Sequence, residues 1–277
     1  MKNQIIVDSC CDLTAEMKHD MGIISVPLTM MLGDQEYSDN DALDVGEFLT
    51  DMIHFDGKPC SASPSPFLYQ KAIEGTENAY IVTLSSKLSG SYNNAVFGSS
   101  EATENGENAA CVFDSRTASA GETLIAVKLS ELIKANMHKE QIVKTIQDFI
   151  DNMKTYLVLE NYDNLQKNGR LSKVTGSLIQ LLNIKLIMGA DGNGEIALFE
   201  KCRGAKKMVQ QLIALIANSG KETENENLVI SHCNNQSLAE ELRKFIVERF
   251  RFKNIYIVPT GGISSMYVDN KGVVLAF

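Results

Sequence analysis

The chain repeatedly passes from an apolar run to a polar loop and then to a helix-like stretch. Residues 79–84 (AYIVTL) have the length and β-branched content of a buried strand. The serine-rich residues 85–92 (SSKLSGSY) follow directly, and residues 93–100 resemble the start of a short helix. Because the same succession recurs along the first half, the sequence predicts a parallel sheet joined by right-handed crossovers.

Two other predicted strands of the first half end in an Asp-Ser pair, at Asp8-Ser9 and at Asp114-Ser115. In parallel sheets, ligands bind outside the carboxyl ends of the strands. We therefore expect the loops that begin at Asp8, Ser85 and Asp114 to gather at one edge of the sheet. The loop at Ser61 can join them there.

The second half has a different pattern, with short strands near residues 184, 195 and 275 that suggest antiparallel pairing. We predict an α/β fold with two domains, since 277 residues exceed a typical single domain. Residues 1–153 form an α/β domain with a parallel sheet and flanking helices. Residues 154–277 form an α+β domain with a mixed, partly antiparallel sheet that closes over a ligand.

Several local expectations concern the segments between these elements. Proline and serine predict a loop over residues 57–66, and acidic residues with glycine predict an exposed connection over 101–107. Residues 174–182 are apolar and helix-like. Residues 183–189, 194–199 and 200–202 predict successive strands of a meander.

Composition excludes several classes of protein. A net charge of -9 argues against a general nucleic-acid-binding protein, which would be basic. No apolar segment reaches eighteen residues, and the first ten residues have too few apolar positions for a signal peptide. Six cysteines without a CxxC motif indicate reduced thiols, so we expect a cytoplasmic protein.

Motifs for catalysis and metal binding are missing from the sequence. It contains no GxxxxGK[ST], no GxGxxG after a strand and no GxSxG. The four histidines, His19, His54, His138 and His232, have no metal-binding spacing. No serine is paired with an evident base, so we expect the serines to bind rather than to attack, with no metal and no cofactor.

The serine loop after residue 84 is instead suited to an anion. Ser89, Gly90 and Ser91 lie where a strand leads into a helix, and unpaired helix N–H groups favour negative charge there. The alternative is that these serines only cap the helix.

Two further segments can contribute to an anion site. Ser61 lies in a loop that Pro64 and Pro66 stiffen, so its hydroxyl is presented with little entropy left to lose. Arg170 follows Gly169, and a guanidinium can bind a carboxylate or phosphate through two parallel hydrogen bonds. An ordinary surface ion pair is the alternative for Arg170.

These residues lie in segments that resemble the DegV family, which includes the fatty-acid-binding subunits of bacterial fatty acid kinase. The resemblance spans nearly the whole chain in order. The matching segments are VDSCCDLT (7–14), SASPSP (61–66), SSKLSGSY (85–92), FDSRTASAG (113–121), NLQKNGRLS (164–172) and EKCRGAKK (200–207).

The resemblance implies a non-enzymatic carrier that holds a long-chain fatty acid between its two domains. A separate ATP-dependent kinase would phosphorylate the bound carboxylate to an acyl phosphate. Ser61 and Ala62 stand where the family has threonine and serine, while Ser89 and Arg170 match directly. The serine loop, with Gly90 and Ser91, would hold the carboxylate together with Ser61.

The chain departs from the family near its carboxyl end, where a histidine is common. Tyr267 or Val268 lies roughly at that position, and tyrosine can donate a hydrogen bond but supplies no positive charge. Ala62 also lacks the family hydroxyl. A lipid sensor or storage protein without a kinase therefore remains an alternative, and a stand-alone hydrolase or sugar-type kinase is disfavoured by the missing motifs.

Arg203, Lys206 and Lys207 form a basic cluster in an otherwise acidic chain. We expect this cluster to dock the kinase or, at most transiently, membrane head groups. The alternative is a solvated helix face. The oligomeric state has no sequence signal, and a monomer is the default expectation.

Overall fold

The structure, a computed structural model, describes residues 3–104, 109–171 and 184–277. Strands and helices alternate in its first part. In chain order they are β1 (Asn3–Asp8), α1 (Ala15–Met21), β2 (Ile24–Val26), β3 (Thr29–Leu32), β4 (Gln35–Ser38), α2 (Val45–His54), β5 (Cys60–Ala62), α3 (Pro66–Ile73), β6 (Asn78–Thr83), α4 (Ser91–Glu104), β7 (Ala109–Asp114), α5 (Ala120–Lys134) and α6 (Lys139–Asn152).

The remaining elements build a second, larger sheet with its own helices. They are β8 (Thr155–Val158), α7 (Asp163–Lys167), β9 (Ile184–Ala190), β10 (Ile196–Arg203), α8 (Ala205–Asn218), β11 (Asn227–His232), α9 (Gln236–Arg249), β12 (Asn254–Pro259), α10 (Gly262–Val268) and β13 (Val273–Ala276). None of the described helices is both long enough and apolar enough to cross a membrane.

Three sheets organise the described residues, and the predicted α/β class is confirmed. The first is parallel, with strand order β2-β1-β6-β7. The second is mixed, with order β10-β9-β8-β13-β11-β12 and a single parallel pair, β11 with β12. The third is a small antiparallel sheet, β4-β3-β5.

Helix α5 lies between the two larger sheets and contacts β1 and β6 on one side and β11 and β13 on the other. Its first eight residues, 120–127, are all buried. A helix that is buried all round belongs to a core rather than to a surface. The division of the chain into two domains near residue 153 stays a prediction.

The strands of the parallel sheet end together, because β1, β6 and β7 pair in register. The loops after Asp8, Thr83 and Asp114 therefore meet at one edge, as expected. Hydrogen bonds join them directly: the Leu84 N–H donates to Asp8 Oδ2 over 2.9 Å, and the Ser86 N–H donates to Asp114 Oδ1 over 3.0 Å.

Some local expectations were wrong. Residues 57–66 are not a plain loop, since β5 pairs with β3 inside it. Helix α4 starts at Ser91 and continues to Glu104, so it covers part of the expected connection over 101–107. Residues 196–203 form one strand with a bulge at Phe199 rather than two strands, because β10 pairs with β9 on both sides of the bulge. The helix-like stretch 174–182 lies outside the described residues.

Candidate ligand-binding site

A cavity of about 360 Å³ lies between the carboxyl edge of the parallel sheet and the mixed sheet. This volume falls in the range of about 300–1,000 Å³ that small-molecule sites occupy. Aliphatic side chains form most of its wall: Leu28, Leu84, Leu88, Leu157, Leu165, Ile196, Ile263, Val268 and Val274. An apolar ligand would thus be enclosed by both halves of the chain.

Ser61 and Tyr267 meet at the wall of this cavity, where their hydroxyl oxygens lie 2.9 Å apart. Ser61 is on β5 and Tyr267 on α10. Burial raises the pKa of Tyr267 from its ordinary value of 10.0, while the Ser61 bond and the Arg170 charge oppose that rise. The phenol is therefore neutral near pH 7 and can donate a hydrogen bond.

Arg170 is held beside this pair. Its Nε donates to the Leu88 carbonyl over 3.1 Å, Nη1 donates to the Asn168 carbonyl, and its guanidinium lies 5.9 Å from the centre of the Tyr267 ring. It forms no ion pair with a carboxylate among the residues that the structure describes. A cation that is oriented by carbonyls and an aromatic face, and that has no counter-ion in the described ranges, is suited to an anionic ligand.

The serine loop contributes Ser89 and Gly90 to the cavity wall. Ser91 is fully buried behind Ser89: the two hydroxyls lie 3.0 Å apart, and the Ser91 N–H donates to Ser89 Oγ over 3.2 Å. The sequence placed all three residues against the ligand, and the structure places Ser91 one layer behind.

Asn94 joins the two serine-bearing loops. Its Nδ2 donates to Ser63 Oγ over 3.0 Å and to the Pro64 carbonyl over 2.9 Å. At Gly90 an added Cβ would lie 3.1 Å from Ser63 Oγ, so the loops approach closely. Ala62 also lines the cavity but offers no hydroxyl. Asn94 has no local sequence signal, since its role depends on a loop thirty residues away.

Three buried carboxyl groups, those of Asp8, Asp12 and Glu122, lie beneath the loops at the sheet edge, and none of them was predicted to be part of the ligand site. Asp8 accepts hydrogen bonds from the N–H groups of Leu84 and Cys10, and burial raises its pKa to about 6. Asp12 has a pKa raised to about 6 for the same reason, and burial raises the pKa of Glu122 well above 4.5. Asp8 holds the serine loop through its bond from Leu84, and none of the three carboxyl groups lines the cavity.

The predicted docking cluster lies away from the cavity wall. Arg203 ends β10, and Lys206 and Lys207 are in the first turn of α8. All three side chains are exposed.

The described part of the chain has neither a metal-binding cluster nor a histidine in the cavity wall. No group of three or more His, Cys, Asp or Glu side chains there is arranged to hold a metal ion. None of the histidines lines the cavity. His232 accepts from the Asn235 N–H over 3.4 Å, and burial lowers its pKa. The cavity serines therefore lack a histidine base.

Solved structures share this architecture over the full chain. A DegV family protein from Ruminococcus gnavus, in a refinement with vaccenic acid, is 40% identical with a TM-score of 0.94 and 99% coverage of both chains. The Streptococcus pneumoniae fatty acid kinase B3 protein, loaded with linoleic acid, is 32% identical with a TM-score of 0.91, covering 100% of this chain and 99% of that one.

The relatives known from sequence agree. A DegV domain-containing protein of Streptococcus pneumoniae is 33% identical over 277 residues, which cover 99% of this chain and 98% of the relative. The family model described as "Uncharacterised protein, DegV family" matches residues 2–277. The protein therefore belongs to the DegV family.

Proposed function

We propose that this protein binds a long-chain fatty acid in the cavity. The carboxylate lies against Ser61, Ser89, Arg170 and Tyr267, and the acyl chain lies along the aliphatic wall. The observation that carries the proposal is the cavity itself, which combines one cluster of hydroxyls and a guanidinium with walls that are otherwise largely aliphatic.

The polar end and the aliphatic wall of the cavity match the carboxylate and the acyl chain of a fatty acid. A buried carboxylate loses its hydration, which several hydrogen bonds and a positive charge must offset. Each buried methylene contributes about 0.8 kcal/mol, so a long chain adds most of the affinity. Solved relatives at 40% and 32% identity carry vaccenic and linoleic acid, which supports this ligand class.

Mass spectrometry of an organic extract of the purified protein tests the proposal. A stoichiometric long-chain fatty acid is the expected result. Ala118→Phe, which fills the cavity, should remove it, whereas Ala42→Phe, the same change at an exposed position, should retain it. An empty extract together with turnover of a soluble substrate would instead favour a stand-alone enzyme.

We further propose that the bound carboxylate is presented to a separate ATP-dependent kinase, which converts it to an acyl phosphate. One relative, at 32% identity, is a fatty acid kinase B3 protein. The basic cluster of Arg203, Lys206 and Lys207 is the proposed docking surface, because exposed cations steer acidic partners.

Charge reversal tests the docking surface. Arg203→Glu with Lys206→Glu should slow acyl phosphate formation with a fatty acid kinase while the fatty acid stays bound. Lys134→Glu with Lys244→Glu makes the same change in net charge at other exposed positions and should leave the rate unchanged. Equal rates for both double variants would refute docking at the basic cluster.

A kinase-independent lipid sensor or storage protein is the second candidate. The observation that favours it is the neutral Tyr267 bonded to Ser61, close to the position where the resemblance implies a histidine in the family. A protein that retains fatty acid but yields no acyl phosphate with any bacterial fatty acid kinase would support the sensor.

A further inference from the structure

Two buried carboxylates bind the amino end of α10. Asp12 Oδ1 accepts from the Gly261 N–H over 2.8 Å. Asp39 accepts from the N–H groups of Gly262 and Ile263, over 2.8 Å and 3.0 Å. The side chains of Asp12 and Asp39 belong to residues only 1% and 6% exposed. Because the first N–H groups of a helix have no partner within it, these carboxylates satisfy donors that would otherwise be buried and unpaired.

The two carboxylates come from the other part of the chain. Asp12 follows β1, and its Oδ2 accepts from the Ser119 hydroxyl. Asp39 follows β4, and its own N–H donates to the Leu28 carbonyl over 2.9 Å. Neither forms an ion pair with a lysine or arginine in the described ranges. The backbone of α10 is therefore a principal partner of both.

The approach of Asp39 to α10 depends on a glycine. A Cβ at position 262 would lie 2.6 Å from Asp39 Oδ1 and 2.4 Å from a Leu43 methyl carbon. Both distances are shorter than real Cβ contacts. The Asp39 side chain thus packs closely against the backbone at Gly262, and α10 would lose this contact if Asp39 were displaced.

Helix α10 links these carboxylates to the cavity. Ile263 and Tyr267 are one turn apart, so they share a helix face, and both line the cavity. Ser264 adds an anchor, since its hydroxyl donates to the Cys10 carbonyl over 3.2 Å. A short helix fixed at its amino end in this way has one register, and that register sets where the Tyr267 hydroxyl lies.

We propose that Asp12 and Asp39 are positioning residues of the ligand site: by binding the amino end of α10, they hold the Tyr267 hydroxyl beside Ser61 before a ligand arrives. A pre-formed site gains affinity because less order is lost on binding. The inference rests on the proposed function for the identity of the ligand, but not for the placement of Tyr267.

A double-variant cycle with a labelled long-chain fatty acid tests the effect on binding. Tyr267→Phe and Asp39→Asn should each raise the Kd by about tenfold, the loss of one good hydrogen bond. The double variant should bind no more weakly than the weaker single variant. If the increases in Kd of the two single variants multiply in the double variant, the proposal is overturned. Asp44→Asn makes the same change at the exposed N-cap of α2 and should leave the Kd unchanged.

A second measurement needs no ligand. 3-Fluorotyrosine placed at position 267 reports its own ionisation by ¹⁹F NMR. Burial raises the pKa of Tyr267, so Asp39→Asn should move its titration to lower pH by releasing the ring. An unchanged titration overturns the proposal even if fatty acid binding fails altogether. Asp12→Asn, which weakens the Gly261 bond at the amino end of this helix, serves as the second variant if Asp39→Asn does not fold.

Discussion

The hydroxyl of Tyr267 lies 2.9 Å from the hydroxyl of Ser61, although 206 positions separate them in the sequence. The bond joins α10 to the small antiparallel sheet, and both residues line the cavity. The contact between Tyr267 and Ser61 therefore both closes the cavity and forms part of its polar end. Changes at this end should affect ligand binding more than folding.

Ser89→Ala should weaken fatty acid binding while leaving the fold intact. A hydroxyl that bonds a charged group contributes about 1.5–3 kcal/mol, which corresponds to roughly a 10- to 100-fold rise in Kd. Isothermal titration of delipidated protein measures it. Ser100→Ala is the control, since Ser100 is an exposed serine of α4, the helix that follows the serine loop, and its hydroxyl donates to the Val96 carbonyl. Equal affinity of Ser89→Ala and the parent would place the carboxylate elsewhere.

Arg170→Lys should also weaken binding, although the charge is kept. Lysine lacks the planar guanidinium, so it cannot donate to the Leu88 carbonyl through an Nε and to a carboxylate through other nitrogens at the same time. Its ammonium group also stacks less well on the Tyr267 ring. We expect a Kd roughly tenfold higher, measured by the same titration. Arg251→Lys, at an exposed position, should bind as the parent does.

Local sequence signals predicted the elements that depend on local interactions. Helix α8 follows the amphipathic pattern of its own residues, and Thr14 caps α1 by accepting a hydrogen bond from the Met17 N–H. Helix α10 was not predicted, because its first N–H groups are satisfied by Asp12 and Asp39, more than 220 positions away. No local capping signal marks it.

The site shows the same limit. Motifs identified Ser61, Ser89 and Arg170, all of which line the cavity. They could not show that Ser91 lies behind Ser89, because this depends on the position of the first residue of α4 relative to the serine loop. Nor could they reveal the bond between Thr117 and Thr155, whose hydroxyls lie 2.8 Å apart where the two sheets meet. Such pairs follow from the tertiary fold.

Gly192 and Gly194, in one turn, allow backbone strain to be separated from a steric clash. Both have positive φ, +88° and +92°, and a Cβ at Gly192 meets nothing within 4 Å, whereas one at Gly194 would lie 2.3 Å from Ser85 Oγ. Gly192→Ala should cost about 1 kcal/mol of unfolding free energy from strain alone. Gly194→Ala should cost at least about 2 kcal/mol more, since it also breaks the 2.7 Å bond from Ser85 to the Gly194 carbonyl. Chemical denaturation compares them, and equal losses would show that the Ser85 contact contributes nothing.

Glu122 carries the clearest prediction of pH dependence. It is fully buried, neither carboxyl oxygen has a hydrogen-bond partner among the described residues, and burial with the nearby Asp8 raises its pKa well above 4.5. The unfolded chain releases this proton near pH 4.5, so above that pH folding must take a proton up. The parent therefore loses up to about 1.4 kcal/mol per pH unit from this group until the pH passes the folded pKa.

Glu122→Gln keeps the shape of the side chain and removes this ionisation. Its melting temperature should equal that of the parent or fall slightly near about pH 4, and should exceed it increasingly towards about pH 8. Glu131→Gln is the matched control. Burial raises the pKa of Glu131, but the hydrogen bonds from Lys253, over 2.7 Å, and from Asn227 outweigh this together with the charges of Lys253 and Lys128, so the net shift is downward. The Glu131→Gln variant should therefore be less stable than the parent by a constant amount above about pH 4.5, and this deficit should shrink as the pH falls below that value. If the difference between Glu122→Gln and the parent does not change with pH, Glu122 is ionised in the folded protein and the assignment of a buried neutral carboxyl is wrong.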